Sequence, residues 1–188
     1  MLAKLVIALC DVSKLNVLYD QVYFDKGVEC ADKLLHYMDC DYLIGQSERV
    51  SHLPEGAFIV VSNQPYGALD AIILIDMVGK ERTDFKLLAS QMFSRIKPLS
   101  ESFVYTDMGS GRERYREASE HLLRGCSLGI FPSGVGADYK SNQRRVVDRP
   151  WDIDTLRFIQ EAHVPIVPIR FLDRNSRIYY WLGYLGLP

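Results

Sequence analysis

The sequence has little of what a disulfide framework or a cysteine-based metal site requires. No two of its four cysteines form a C-x-x-C pair, and none has a histidine at metal-ligand spacing. Scattered single cysteines of this kind are typical of free thiols in a reducing compartment. We therefore expect no bound metal and no disulfide, and we interpret these residues as buried or half-buried thiols: Cys10, Cys30, Cys40 and Cys126.

A long hydrophobic run is also missing. No segment reaches the roughly 18 to 20 apolar residues that a membrane-spanning helix requires. Residues 1–10 are apolar apart from Lys4, but they are too few to span and lack the small-residue cleavage site of a secretory signal. They either cap the core or lie on a membrane surface.

A surplus of basic residues is absent as well. The formal net charge is −2, which argues against a general nucleic-acid binder, because such proteins neutralise phosphates with an excess of Lys and Arg. Hydrophobic residues make up 48% of the chain and charged residues 24%, as in an ordinary globular protein. No repeat or linker divides the 188 residues, which suffice for one domain with a substantial core.

What the sequence does contain is an alternation of strand and helix patterns. Helical spacing of apolar residues over 26–38 is followed by a continuous apolar run at 57–61, typical of a strand buried on both faces, and by a helical pattern at 69–78. The pattern then predicts strands at 85–89, 103–105, 127–131, 165–171 and 178–182, and helices at 112–124 and 153–162. We therefore predict a single α/β domain: a mostly parallel or mixed sheet flanked by helices, with a helical N-terminal segment over 1–50 and the α/β domain over 51–188.

The segment with the clearest chemical content connects the first strand to the next helix. It reads Val-Ser-Asn-Gln-Pro-Tyr-Gly-Ala-Leu-Asp over residues 61–70, at a place where α/β folds put their ligand sites. Pro65 and Gly67 constrain the turn. Asp70 falls in the first helical turn, where its charge either stabilises the helix start or serves a function.

This segment resembles the signature of the glycerolipid acyltransferases, and is most similar to their hemolysin-related branch, which has Asn-His-Pro and, two or three residues later, Leu-Asp. The resemblance implies a dyad in which the aspartate orients the histidine, and the histidine takes the proton of an acceptor hydroxyl that attacks an acyl thioester. Asp70 matches the aspartate of this pattern. Gln64 stands where the family has its histidine.

Four further blocks resemble the family in order and spacing. Residues 130–134 resemble its Phe-Pro-x-Gly block, with Ser133 where many members carry Glu, and 164–168 resemble its late Val-Pro-x-x-Pro block. The stretches 147–151 and 173–177 resemble sequences of the hemolysin-related branch. The resemblance implies that the following residues contribute to substrate binding: Asn63, Pro65, Gly67, Phe131, Pro132, Ser133 and Gly134.

Two arginines follow the Phe-Pro-x-Gly block along the chain. Guanidinium groups match phosphate oxygens, so Arg144 and Arg145 are candidates to hold the phosphate of an acceptor or an acyl carrier. The alternative is that both belong to a basic surface loop.

Gln64 changes the mechanism that the resemblance implies. Its amide is close to an imidazole in size and forms hydrogen bonds, but it does not titrate near neutral pH and so is no general base. The loss of general-base catalysis typically costs about 10²- to 10⁴-fold in rate. Either Gln64 is an engineered or strain-specific replacement in a real acyltransferase, or the protein is a natural pseudoenzyme. None of the four histidines has a spacing that indicates a substitute base.

We therefore expect an O-acyltransferase domain that uses acyl-carrier protein or coenzyme A as thioester donor and a lysophospholipid-type acceptor, without any resident cofactor. We expect the protein to lie in the cytoplasm, bound peripherally at the inner face of the membrane. The alternative is a catalytically inactive lipid-binding protein with the same fold. A serine hydrolase is disfavoured because Ser133 lies outside any G-x-S-x-G elbow. Relatives usually continue past the last block, so we expect a short or truncated C-terminus.

Overall fold

A computed structural model describes residues 12–106, 111–134, 138–140, 145–147, 149–172 and 175. The described residues contain five α-helices and seven strands. The helices are α1 (Val12–Val22), α2 (Gly27–Tyr37), α3 (Ala68–Glu81), α4 (Arg116–Leu123) and α5 (Ile153–Glu161). The strands are β1 (Ile59–Ser62), β2 (Lys86–Ser90), β3 (Phe103–Thr106), β4 (Leu128–Ile130), β5 (Asp138–Lys140), β6 (Arg145–Val147) and β7 (Ile166–Ile169).

Five of these strands form one parallel sheet in the order β3-β2-β4-β1-β7. Helices follow β1, β3 and β4 along the chain and return it to the amino end of the next strand, as parallel pairing requires. The predicted fold class is confirmed: the protein is a single-domain α/β fold with helices at its N-terminus.

The central strands β1 and β4 are buried at every position, which explains why the sequence of β1 is a continuous apolar run. Its alternate side chains point to opposite sides. Val60 packs in a core with α2 and α3, while Ile59 and Val61 pack in a second core with α4 and α5. A strand with two covered faces needs apolar residues at every position.

The N-terminal helices belong to the first of these cores. Cys30 and Ala31 of α2 are fully buried together with Leu74 of α3. The two helices approach closely at Gly79, where a Cβ atom would overlap the side chain of Val28. The predicted helix at 26–38 is confirmed within a residue at each end.

Two local predictions differ from the structure. The predicted helix at 112–124 begins as a 3₁₀-helix, Gly111–Tyr115, and continues as α4, since 3₁₀ turns are common at helix N-termini. At the junction, the buried ring of Tyr115 stacks on Phe158 with 4.7 Å between centroids, and its hydroxyl shares a hydrogen bond with Thr155. The antiparallel pair β5–β6 was absent from the predicted pattern, since its three-residue strands are too short to show a period. The predicted strand at 178–182 lies outside the described residues.

Candidate functional site

The motif loop, residues 63–67, leaves the carboxyl end of β1 and leads into α3. In a parallel sheet this edge is where ligand sites form. Pro65 is buried, and Gly67 is the N-cap of α3 with φ 82° and ψ −116°, a backbone conformation that an L side chain rarely adopts. No atom lies within 4 Å of where a Cβ of Gly67 would be, so the backbone conformation, and not crowding, requires the glycine.

Asp70 fixes the shape of this loop from the first turn of α3. Its side chain is completely buried, and its Oδ2 accepts the backbone N–H groups of Tyr66 at 2.7 Å and Gly67 at 2.9 Å. These donors belong to the helix start, where backbone N–H groups have no partner within the helix. The helix-stabilising role considered for Asp70 is therefore observed.

Gln64 binds the same turn from the other side. Its Nε2 donates to the carbonyl oxygen of Gly67 at 2.8 Å, and its side chain is half-buried. Gly67 thus has its N–H held by Asp70 and its carbonyl held by Gln64. The two residues predicted to act as a pair are brought to one turn, where they bind the two polar backbone groups of a single residue.

Asn63 ties the loop to the chain that follows β7. Its Nδ2 donates to the carbonyl of Phe171 at 2.9 Å, and its Oδ1 accepts the N–H of Phe171 at 2.8 Å. Backbone pairing between β1 and β7 ends at Ser62 and Ile169, so the side chain of Asn63 continues it beyond the strands. On the other side of Gln64, the carbonyl of Pro65 accepts a hydrogen bond from Nδ2 of Asn175 at 3.0 Å.

The Phe-Pro-Ser-Gly block leaves the neighbouring strand at the same edge. Val61 of β1 is in register with Ile130 of β4, so the block begins opposite Ser62, the residue before the motif loop. The block forms a turn in which Gly134 N–H donates to the carbonyl of Phe131 at 2.9 Å, and the carbonyl of Pro132 accepts Asp152 N–H at 2.8 Å. Two stretches that are far apart in sequence are therefore adjacent.

The two candidate arginines lie differently. Arg145 is the first residue of β6 and pairs with Lys140 across the β5–β6 hairpin, which connects the Phe-Pro-Ser-Gly block to α5. Arg144 lies outside the described residues. Phosphate binding by this pair stays a prediction.

The four histidines all lie away from the carboxyl edge. His121 is 3% exposed and its Nε2 is 3.0 Å from the carbonyl of Ser127, just before β4 begins, at the amino end of the sheet. Burial lowers the pKa of His121 below its ordinary value. His52 is exposed before β1, His163 precedes β7 and His36 ends α2. Across the described ranges, no group of three or more side chains is arranged as a metal site.

Sequence reasoning missed Phe171 and Asn175 as parts of the site. Asn175 lies in the 173–177 stretch that resembles the hemolysin-related branch, but nothing in the local pattern showed which element it contacts. The available signal was a polar side chain soon after the carboxyl end of a predicted strand, and therefore at the edge of the sheet where the motif loop lies.

No protein-family model matches the chain, and no curated protein is similar enough to it to count as a match. Membership of the acyltransferase family therefore stays a prediction that rests on the ordered sequence blocks. In the part of the chain that the structure describes, no helix has the length and apolar character needed to cross a membrane.

Proposed function

We propose that this protein is built as an O-acyltransferase that moves a fatty acyl group from a thioester to a lysophospholipid-type acceptor. The observation that carries the proposal is that the side chains of Gln64 and Asp70 both bind Gly67. Both side chains bind the turn at Gly67, and they do so at the carboxyl end of β1, beside the block after β4. Two side chains that together activate a nucleophile must be held in a fixed geometry, and a fixed backbone between them provides it.

The proposed reaction is direct transfer. The acceptor hydroxyl oxygen attacks the thioester carbonyl carbon, an ester C–O bond forms, the C–S bond breaks, and the proton of the hydroxyl ends on the departing thiol. A base at position 64 takes that proton and returns it, and Asp70 orients the base. The donor is acyl-carrier protein or coenzyme A, and the protein works peripherally at the cytoplasmic face of a membrane, where such acceptors lie.

Gln64 lowers the rate of this reaction in the present chain. Its Nε2–H is already donated to Gly67, and its amide takes up no proton at neutral pH. This observation also favours a second candidate function, a catalytically inactive protein that binds lipid through the same edge of the sheet. The two candidates differ in one property, transfer activity, and residue 64 is the place to test it.

The test compares the chain with Gln64→His in acyl transfer from acyl-carrier protein and from coenzyme A to a panel of lysolipids. We expect transfer by Gln64→His to be about 10²- to 10⁴-fold faster, and to rise with pH through the ionisation of the introduced imidazole. Gln160→His is the matched control, since Gln160 is exposed on α5. It adds the same side chain far from Gly67 and leaves the rate unchanged.

A further variant separates chemistry from binding. Adding Asp70→Asn to Gln64→His removes the charge that orients the imidazole, and we expect most of the gain in rate to disappear while lipid binding persists. If neither Gln64→His nor the original chain transfers an acyl group, and both bind lipid vesicles, the inactive lipid-binding function replaces the acyltransferase.

A further inference from the structure

Both neighbours of residue 64 are bound to one distant segment of the chain. Asn63 uses its side-chain oxygen and nitrogen on the backbone of Phe171, and Pro65 offers its carbonyl to the side chain of Asn175. The partners are separated by 108 and 110 residues in sequence. Three hydrogen bonds to Phe171 and Asn175 thus hold the residues on both sides of position 64.

These hydrogen bonds stabilise a loop that lies beyond the backbone pairing of the sheet. Regular pairing of β1 with β7 stops at Ser62, and pairing with β4 stops at Val61. Beyond these points, the side chain of Asn63 forms the two hydrogen bonds that a backbone partner in the sheet would otherwise form. Asn175 then binds the loop again two residues later. Side chains that replace backbone partners in this way satisfy polar groups that would otherwise be lost at the end of a strand.

We propose that Asn63 and Asn175 are positioning residues, and that the segment after β7 sets the place of the side chain at position 64 relative to Asp70. Under this proposal, Asn63 acts on substrate only through residue 64. The catalytic consequence rests on the proposed function. The structural consequence, a loop fixed by Phe171 and Asn175, is measurable without any activity.

The structural experiment uses the full chain and amide hydrogen exchange measured by NMR. The variants Asn63→Asp and Asn175→Asp each remove the side-chain N–H donor while keeping the size of the side chain. Loss of one hydrogen bond predicts exchange at Tyr66 and Gly67 faster by roughly 2- to 12-fold. The N–H of Ile59, which donates to Pro165 at the other end of β1, is the internal reference and keeps its rate.

Asn16→Asp is the matched control, because Asn16 is exposed on α1 and the substitution makes the same change of amide to carboxylate. Unchanged exchange at Tyr66 and Gly67 in both site variants overturns the proposal, as does an equal increase in Asn16→Asp. Circular dichroism identifies a variant that does not fold. In that case the neutral Asn63→Ser or Asn175→Ser is measured under the same two criteria.

The catalytic experiment places Asn175→Asp in the Gln64→His protein. We expect kcat to fall by about 10-fold or more with KM little changed, because a shift of the base disturbs the reaction more than the binding of the acceptor. An unchanged kcat, or a rise in KM alone, overturns the positioning role. If Gln64→His shows no transfer at all, the proposed function fails, and the exchange rates still decide whether Phe171 and Asn175 fix the loop.

Discussion

The two ends of the sheet hold a carboxylate in different ways: Asp84 at the amino end is half-buried, and Asp70 at the carboxyl end is fully buried. At the amino end, the guanidinium of Arg82 donates to both oxygens of Asp84, at 2.9 and 2.8 Å, and to the carbonyls of Pro54 and Gly56. Burial raises the pKa of Asp84, but the Arg82 guanidinium and the N–H of Ser127 outweigh this effect and hold that pKa below its ordinary value.

At the carboxyl end, Asp70 receives backbone N–H groups, and the surrounding bonds come from the neutral amides of Asn63, Gln64 and Asn175. An ion pair fixes a position strongly but also fixes the charge of both partners. Neutral amides also fix a backbone, and they add no charge to that of Asp70. The contacts around Arg82 are thus charge-assisted, whereas most of those around the motif loop come from neutral amides.

The largest effect should follow from removing the cation at the amino end. Arg82→Ala deletes the ion pair with Asp84, two bonds to carbonyls and the packing of the guanidinium over the Phe58 ring, 5.0 Å from its centroid. We expect the free energy of unfolding to fall by about 2–4 kcal/mol, measured by urea denaturation. Amide exchange at Gly67 relative to global unfolding should stay the same.

Arg112→Ala serves as the control for that change. Arg112 pairs with Glu161, but its side chain is 87% exposed, so solvent screens the pair. We expect a change in unfolding free energy below about 0.5 kcal/mol. If the two arginine variants lose the same stability, the amino end is no stronger than an ordinary surface pair and the contrast between the ends fails.

A smaller loss of stability, with a local signature, should follow at the carboxyl end. Asp70→Ala removes the acceptor of the Tyr66 and Gly67 N–H groups, and we expect it to cost about 1–2 kcal/mol, with much faster exchange at these two amides. Asp154→Ala is the comparison, because Asp154 lies in the first turn of α5 with its side chain 37% exposed, and we expect only a few tenths of a kcal/mol there. Equal losses in the two variants would contradict a special role for Asp70.

The smallest effect concerns pH. Burial lowers the pKa of His121 in the folded protein, although the carbonyl of Ser127 and nearby Asp84 act in the opposite direction. The unfolded chain therefore binds a proton first as the pH falls below about 6.5, and stability decreases from that point downward. We expect the urea midpoint of the original chain to drop between pH 7.5 and pH 5.5.

His121→Gln should reduce that drop, and His52→Gln should leave it intact, because His52 is exposed. A drop of the same size in His121→Gln would assign the pH dependence to other groups. The experiment separates the amino end from the motif loop, since no histidine lies at the carboxyl edge of the sheet.

Much of the fold could be predicted because burial on two faces leaves a plain pattern in sequence. The run at 57–61 predicted β1, and the helical spacing at 69–78 predicted most of α3. The order of the strands could not be predicted, because it depends on which faces pack together and not on any local period. Tyr115 shows a similar limit on a small scale: it ends a 3₁₀ turn and stacks on Phe158, where the spacing alone predicted a continuous α-helix.

The candidate site shows the same difference between local contacts and contacts between distant segments. The turn at Pro65 and Gly67 and the helix start at Asp70 could be predicted, since each depends on residues within one short segment. The bonds from Asn63 to Phe171 and from Asn175 to Pro65 could not be predicted, because they require β7 to lie beside β1. Substrate binding by Asn63 stays a prediction, and only the structure shows which backbone its side chain contacts.

The long separation of these partners has a consequence for how the protein is made. During synthesis the motif loop leaves the ribosome 108 residues before Phe171, which is its partner through Asn63. The first four strands of the sheet and α3 can begin to pack on the emerging chain, since domains fold as their residues become available. The loop at position 64 cannot form its hydrogen bonds with Phe171 and Asn175 until both residues have been translated. The part of this molecule where chemistry is proposed is thus among the last to take its final shape in a newly made copy.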